Sequence, residues 1–157
     1  MSDVIEVRRA GTADLEPALD VWRAANEARG RAPTPARIER VRAKLRAPDA
    51  VVVVAFDGAG TVAMGLAEPG RADDGAGAPI PGYGHVSMVF VRPDAWGRGH
   101  GAPVLAALHE PWPRTTLWTR EDNARARRLY EKSGYLPTGR TARLAEGDGI
   151  MQLERIR

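Results

Sequence analysis

The stretch Val86-Ser-Met-Val-Phe-Val-Arg-Pro-Asp-Ala-Trp-Gly-Arg-Gly-His-Gly-Ala-Pro-Val-Leu-Ala-Ala-Leu108 decides how the chain is read. It opens as an apolar, strand-like run ending at Val91, and a turn follows at Arg92–Asp94. Glycines then stand at alternate positions, Gly97, Gly99 and Gly101, and the last runs into a helical pattern carried by Val104, Leu105 and Leu108. Strand, glycine loop, helix start is an order that makes an anion site. The first backbone N–H groups of a helix have no partner within it and carry the positive end of its dipole. Glycines remove the Cβ atoms that would hold a phosphate away. Arg98, between two of them, adds a cation able to pair with phosphate in bidentate fashion. The stretch reads as a cradle for a diphosphate; the plainer alternative is a glycine-rich surface turn.

Composition sets the frame around it. The chain has 157 residues, 43% hydrophobic and 27% charged, which fits a single soluble domain over residues 1–157 with a proper core. No apolar run approaches the roughly 18 residues of a membrane span. No basic-then-apolar leader stands at the N-terminus, so a cytoplasmic location is expected and no membrane partner. With no cysteine there is no disulfide, thiolate metal site or cysteine nucleophile, and no metal is expected. Basic residues number 23 against 20 acidic ones, for a net charge of +3. They are interleaved with acids rather than gathered into an aromatic-basic stripe, which argues against nucleic acid as a partner. The modest positive field suits a polyanionic cofactor.

Working outward from the loop, Val4–Arg9 reads as a first strand and Thr12 as a helix cap with Asp14 in the first turn. Leu15, Leu19 and Trp22 give that helix a core-facing stripe, fading near Gly30. Thr34-Pro35 caps a second helix with stripe Ile38, Val41 and Leu45. These two helices are expected to form a lid. Ala50–Phe56 reads as a strand buried on both faces, Asp57–Gly60 as a hairpin turn and Thr61–Ala67 as the returning strand. Glu68–Gly82, rich in Gly, Pro and Ala, reads as a long loop. Beyond the glycine loop, Pro111-Trp112-Pro113 stops the helix and Thr115–Thr119 is a strand. A helix opens at Asn123 and closes at Gly134; strands from Tyr135 and over Gly149–Ile156 complete the chain. Hairpins in the first half and helical crossovers in the second suggest a mixed α/β sheet with helices on both faces.

The second informative stretch is Asn123–Tyr135. Tyr130 lies two helical turns from Asn123 on nearly the same face, so both can meet one ligand. A plain cap and a half-buried core tyrosine is the alternative. Together, Arg92-Pro-Asp-Ala-Trp-Gly-Arg-Gly-His-Gly101 and Asn123…Ala126…Leu129-Tyr130…Gly134-Tyr135 resemble the GNAT superfamily of acetyl-CoA-dependent N-acetyltransferases.

The resemblance implies a β–α–α–β–β–β–α–β–α–β–β order and a sheet of six to seven strands splayed between the fourth and fifth. It implies acetyl-CoA as co-substrate, with its diphosphate on Trp96, Gly97, Arg98, Gly99, His100, Gly101 and Ala102. The pantetheine arm would pair with the backbone of Val89, Phe90 and Val91, and Asn123 would hold it or a bound water. Tyr130 would be the acid that protonates the departing sulfur; a phenol can donate at neutral pH. A main-chain N–H near Val89–Val91 would polarise the thioester carbonyl. His85 occupies the neighbourhood where some members place a carboxylate base, and imidazole suits that task. Glu27, Glu68, Asp73, Asp74 or an ordered water are the alternatives. His100 would be a loop residue beside the cofactor, and His109 a charge at a helix C-terminus.

The acceptor, a primary amine on a small molecule or peptide, would be met by Trp22, Asp73, Asp74 and Tyr83. A homodimer is compatible with the sequence. Three departures stand out. Trp96 replaces the Gln or Arg common in the family, losing a polar contact. Pro103 removes one N–H from the first helical turn. The segment between Leu108 and Thr115 is short, so its crossover helix is clipped. A non-catalytic CoA-binding regulator of the same fold is the alternative function. Gly97-x-Gly99-x-x-Ala102 with Asp122 also fits a dinucleotide fingerprint, but five residues separate Val91 from Gly97 and no second nucleotide-binding half exists.

Overall fold

A run of four valines can be buried on both sides only if both faces of its strand are covered. The structure, a computed structural model that describes residues 4–157, covers them. The elements are β1 (Glu6–Arg9), α1 (Leu15–Ala28), α2 (Pro35–Leu45), β2 (Val51–Asp57), β3 (Gly60–Arg71), β4 (Pro79–Val91), α3 (Gly101–His109), β5 (Arg114–Arg120), α4 (Ala124–Lys132), β6 (Leu136–Arg143) and β7 (Gly149–Ile156). This is the order implied by the resemblance. Seven strands form one mixed sheet in the order β1-β2-β3-β4-β5-β7-β6. β4 and β5 run parallel, in register from Tyr83–Arg114 to Val86–Leu117. Two compact units emerge: residues up to Ala67 with Met88–Leu108, and Glu68–Ser87 with His109–Arg157.

In the first unit, Val52 and Val54 of β2 and Met64 and Leu66 of β3 pack against Leu19 and Trp22 of α1 and Val41 and Leu45 of α2. Each such buried side chain contributes about 1.5–3 kcal/mol. The opposite face belongs to α3. A Cβ on Gly65 would lie 2.4 Å from Leu108 Cδ1 and 3.1 Å from the Met88 carbonyl oxygen, so a glycine is what lets α3 settle there. The two helices expected to form a lid are packed by their apolar faces into the core of the first unit.

The second helix starts as read, with Thr34 Oγ1 accepting from the Arg37 N–H at 3.2 Å. The first does not. Thr12–Asp14 is a 3-10 turn entered from Gly11, and Asp14 precedes α1. Asp14 Oδ2 accepts from the Gly11 N–H at 2.8 Å and Oδ1 from Arg8 at 3.1 Å. The Gly11 N–H foremost, then Arg8, hold the Asp14 carboxyl below the usual carboxylate range.

The expected long loop over Glu68–Gly82 is also corrected. Glu68–Arg71 extends β3 and Pro79–Gly82 begins β4, leaving a tight connection at residues 72–78. The Ala72 N–H donates to Ala78 at 3.0 Å, and Asp73 and Asp74 turn the chain with φ near 53° and 54°. Left-handed backbone is more tolerable for aspartate than for most residues. Gly70 is there for packing: a Cβ would lie 2.2 Å from the Tyr83 ring.

In the second unit, α4 closes at Gly134 (φ 94°), and the Tyr135 N–H donates to the Tyr130 carbonyl at 3.0 Å. β6 is the outermost strand and every residue in it is exposed. Its register against β7 shifts between Pro137 and Thr141, where Gly139 has φ 91°.

The same unit buries the Tyr135 hydroxyl between His109 Nδ1 and Thr115 Oγ1, 3.1 Å from each. His109 is 7% exposed. Burial, then the charges of Arg155 and Arg157, push its pKa down to about 4. The expected helix-terminal charge is thus a neutral core group. Its ordinary pKa near 6.5 returns on unfolding. Between pH 6.5 and 4 the unfolded chain binds a proton that the folded chain refuses. Stability from this site is therefore full above pH 6.5 and lost as pH falls towards 4, by up to about 1.4 kcal/mol per pH unit. Urea midpoints of wild type and His109→Gln at pH 7.5 and 5.0 test it: wild type should lose on the order of 1–2 kcal/mol more than the variant.

Candidate functional site

In the first unit, β4 ends at Val91 and the chain is immediately tied down. The Arg92 N–H donates to the Val62 carbonyl at 2.7 Å, and the Arg92 side chain donates to Asp94 at 2.6 Å and to the Thr61 carbonyl at 3.3 Å. A 3-10 turn at Pro93–Ala95 buries Ala95. The Trp96 indole N–H then donates to the Val91 carbonyl at 2.7 Å. The expected loss of a polar contact at Trp96 is corrected, because the indole supplies one. On the other side, the Arg29 guanidinium carbon lies 5.6 Å from the ring centroids of both Phe90 and Trp96.

The loop leaves Trp96 with φ 81° at Gly97 and 79° at Gly99. Both are left-handed, which costs other residues roughly 1–2 kcal/mol. A Cβ at either would meet nothing within 4 Å. Gly97, Arg98 and Gly99 are exposed, so bare backbone beside a guanidinium faces open space. Such a surface can receive an anion of diphosphate size. α3 starts at Gly101, with Ala102 exposed and Pro103 within the tolerated first turn. His100, in the loop before α3, is buried at 4% exposure, and its proximity contributes to lowering the Asp57 carboxyl, after the Ala59 N–H and the Arg92 charge. Val89, Phe90 and Val91 are half-buried at the end of β4. Trp22 is 1% exposed in the core, whereas Glu27 is exposed near the end of α1.

In the second unit, alternation places Tyr83, His85 and Ser87 along β4. Thr116, the register partner of His85 on β5, is fully buried. Its hydroxyl lies 2.5 Å from the Tyr83 hydroxyl and 3.1 Å from His85 Nδ1. The Ser87 hydroxyl donates to Glu68 Oε1 at 2.7 Å. His85 is half-buried in mid-strand. The Tyr83 ring is held between Gly70 and the Arg114 guanidinium, 4.2 Å from its centroid. Sequence reading missed Ser87 and Thr116. The polar positions 83, 85 and 87 were a readable stripe, but the partner on β5 depends on register.

Asp73 and Asp74 are exposed at the turn between β3 and β4. Asp74 accepts from Arg140 at 2.6 Å, and that guanidinium lies 5.6 Å from the Trp118 centroid. The Asp74 carboxylate is thus paired with an arginine at the surface. Asn123 Oδ1 accepts from the Ala126 N–H at 3.1 Å, the helix-cap role. Tyr130 is half-buried on α4, edge-on to Tyr135 with centroids 6.1 Å apart. Among the described residues no group of three His, Asp or Glu could hold a metal ion, and no helix is long and apolar enough to cross a membrane.

Comparison with known proteins gives this geometry a family. A model of the acetyltransferase (GNAT) family matches residues 17–135. No curated protein sequence matches the chain. Among solved structures, the ribosomal-protein-S18-alanine N-acetyltransferase of Escherichia coli superposes with a TM-score of 0.75 at 15% identity, covering 98% of this chain and 94% of that one. The ribosomal-protein-alanine N-acetyltransferase of Brucella melitensis gives 0.73 at 20% identity, covering 97% and 99%. The PaiA N-acetyltransferase of Thermoplasma acidophilum, solved with coenzyme A, gives 0.65 at 15% identity, covering 98% and 99%. The family match spans the glycine loop and the helix bearing Tyr130, and the chain belongs to the GNAT acetyltransferase family.

Proposed function

We propose that the protein transfers the acetyl group of acetyl-CoA to a primary amine, on a small molecule or a peptide, by direct attack in a ternary complex. One observation carries the reading: Gly97 and Gly99 hold left-handed backbone with open space where side chains would stand, directly before α3. That cradle suits the diphosphate, and Arg98 adds charge. The main chain of Val89–Val91 holds the pantetheine arm and polarises the carbonyl with an N–H. Acetyl-CoA supplies an acetyl group already activated as a thioester.

His85 takes the proton of the attacking amine, while Tyr130 gives its phenolic proton to the sulfur. A C–N bond forms as the C–S bond breaks, and exchange with solvent resets both side chains. The Thr116 hydroxyl on Nδ1 orients the imidazole of His85. Asn123 caps α4 and keeps Tyr130 in register with it. Glu68, bonded to Ser87, is the reserve base. Asp73 and Tyr83 remain for the acceptor; Trp22 drops out because the core occupies it.

Three measurements test these roles. With wild type, acetyl-CoA should raise the Tm by several degrees. Gly99→Glu should start slightly lower, from backbone strain, and show no ligand-dependent rise; unchanged affinity would remove the cradle. Tyr130→Phe should lower kcat by about 10- to 100-fold at unchanged acetyl-CoA affinity, a thiolate being a fair leaving group even without an acid. Full activity in that variant would end the acid assignment. A base must be neutral, so protonated His85 should depress the rate at low pH. His85→Ala should flatten the acidic limb of the pH–rate profile, whereas an unaltered limb transfers the role to Glu68 or water.

A further inference from the structure

We infer that Arg29 is a positioning residue for the diphosphate loop, acting through Trp96 rather than by touching the cofactor; this rests on the reading that Gly97–Ala102 receives the diphosphate of acetyl-CoA. Three observations within the first unit carry it. Arg29 follows the last residue of α1, and its guanidinium carbon stands 5.6 Å from the centroids of both Phe90 and Trp96. Phe90 belongs to the end of β4 and Trp96 to the entry of the loop, so one cation grips the strand and the turn together. The same indole donates to the Val91 carbonyl at 2.7 Å, which closes the segment between them into a ring of fixed size.

The consequence lies in the glycines that follow. Gly97 and Gly99 have no side chains with which to anchor themselves, and a Cβ at either would touch nothing. Glycine is the residue with most freedom to lose on ordering. Unless its entry is fixed, such a loop must be ordered by the ligand, and binding weakens by that cost. Arg29 and Trp96 fix the entry in advance. Trp96 thus takes over the anchoring of the loop at the position where the family commonly carries Gln or Arg.

A double-mutant cycle on acetyl-CoA affinity tests the inference, using Arg29→Ala, Trp96→Phe and the pair, with calorimetric Kd and steady-state rates. Arg29 is exposed, so the folded core should survive its removal. Trp96→Phe keeps a ring for the cation but loses the N–H donor. Each single variant should weaken Kd by about tenfold, and the pair by clearly less than the product of the two, because both act through one anchor. KM for acetyl-CoA should rise while kcat at saturation holds. Arg29→Lys, which keeps the charge, should recover part of the loss. Multiplicative effects, an unchanged Kd in Arg29→Ala, or a fall confined to kcat would each overturn the inference. Gly99→Glu run alongside separates the two readings. If it too binds like wild type, the loop assignment itself fails. If it loses binding while Arg29→Ala keeps it, only the role of Arg29 fails.

Discussion

The hydrogen bond from the Trp96 indole to the Val91 carbonyl governs the part of the chain where chemistry is expected. A strand has just ended there and a helix is about to begin, with little backbone between them. Three anchors fix that short path: Arg92 bonded to β3, the buried Ala95, and the indole on Val91. Only then can Gly97 and Gly99 turn left-handed in a reproducible direction. The helix that follows has its own constraint, the missing side chain at Gly65. Geometry at the loop is therefore a product of packing around it as much as of the loop's own sequence.

Much of the fold was legible because periodicity reports directly on burial. The stripe of Leu19 and Trp22, the cap at Thr34 and the valine run each state which face meets the core. The reading failed where composition stood in for pattern. Gly70 and the prolines of the β3–β4 connection look like loop residues, yet Gly70 is a strand residue thinned to admit the Tyr83 ring. Thr12 failed for a different reason: the chain enters through a 3-10 turn over Thr12–Asp14, closed by Asp14 accepting from the Gly11 N–H, so α1 starts only at Leu15. At the candidate site, the glycine loop was legible because unusual backbone demands an unusual residue. The link between His85 and Thr116 was not, since register between parallel strands is written in neither strand alone.

The three histidines show how burial assigns work to identical side chains. His109 is enclosed with a phenol and a threonine and stays neutral as part of the core. His100, beside the exposed Gly97–Gly99 stretch, is buried, and its proximity helps lower the Asp57 carboxyl. His85 alone is half-open, with one ring nitrogen engaged by a hydroxyl that can orient it. A residue count could not have ranked them. What separates them is how many directions remain from which a proton can arrive.

The outermost strand carries a consequence of another kind. β6 is exposed along its full length, the condition under which a sheet can recruit a foreign strand. Pro137 offers no N–H, and the slip in pairing before Thr141, with Gly139 bent out of the extended region, breaks the row of donors and acceptors into short pieces. A second chain arriving at that rim would find no continuous template to copy. The irregular rim thus guards this edge of the sheet against fibrous stacking.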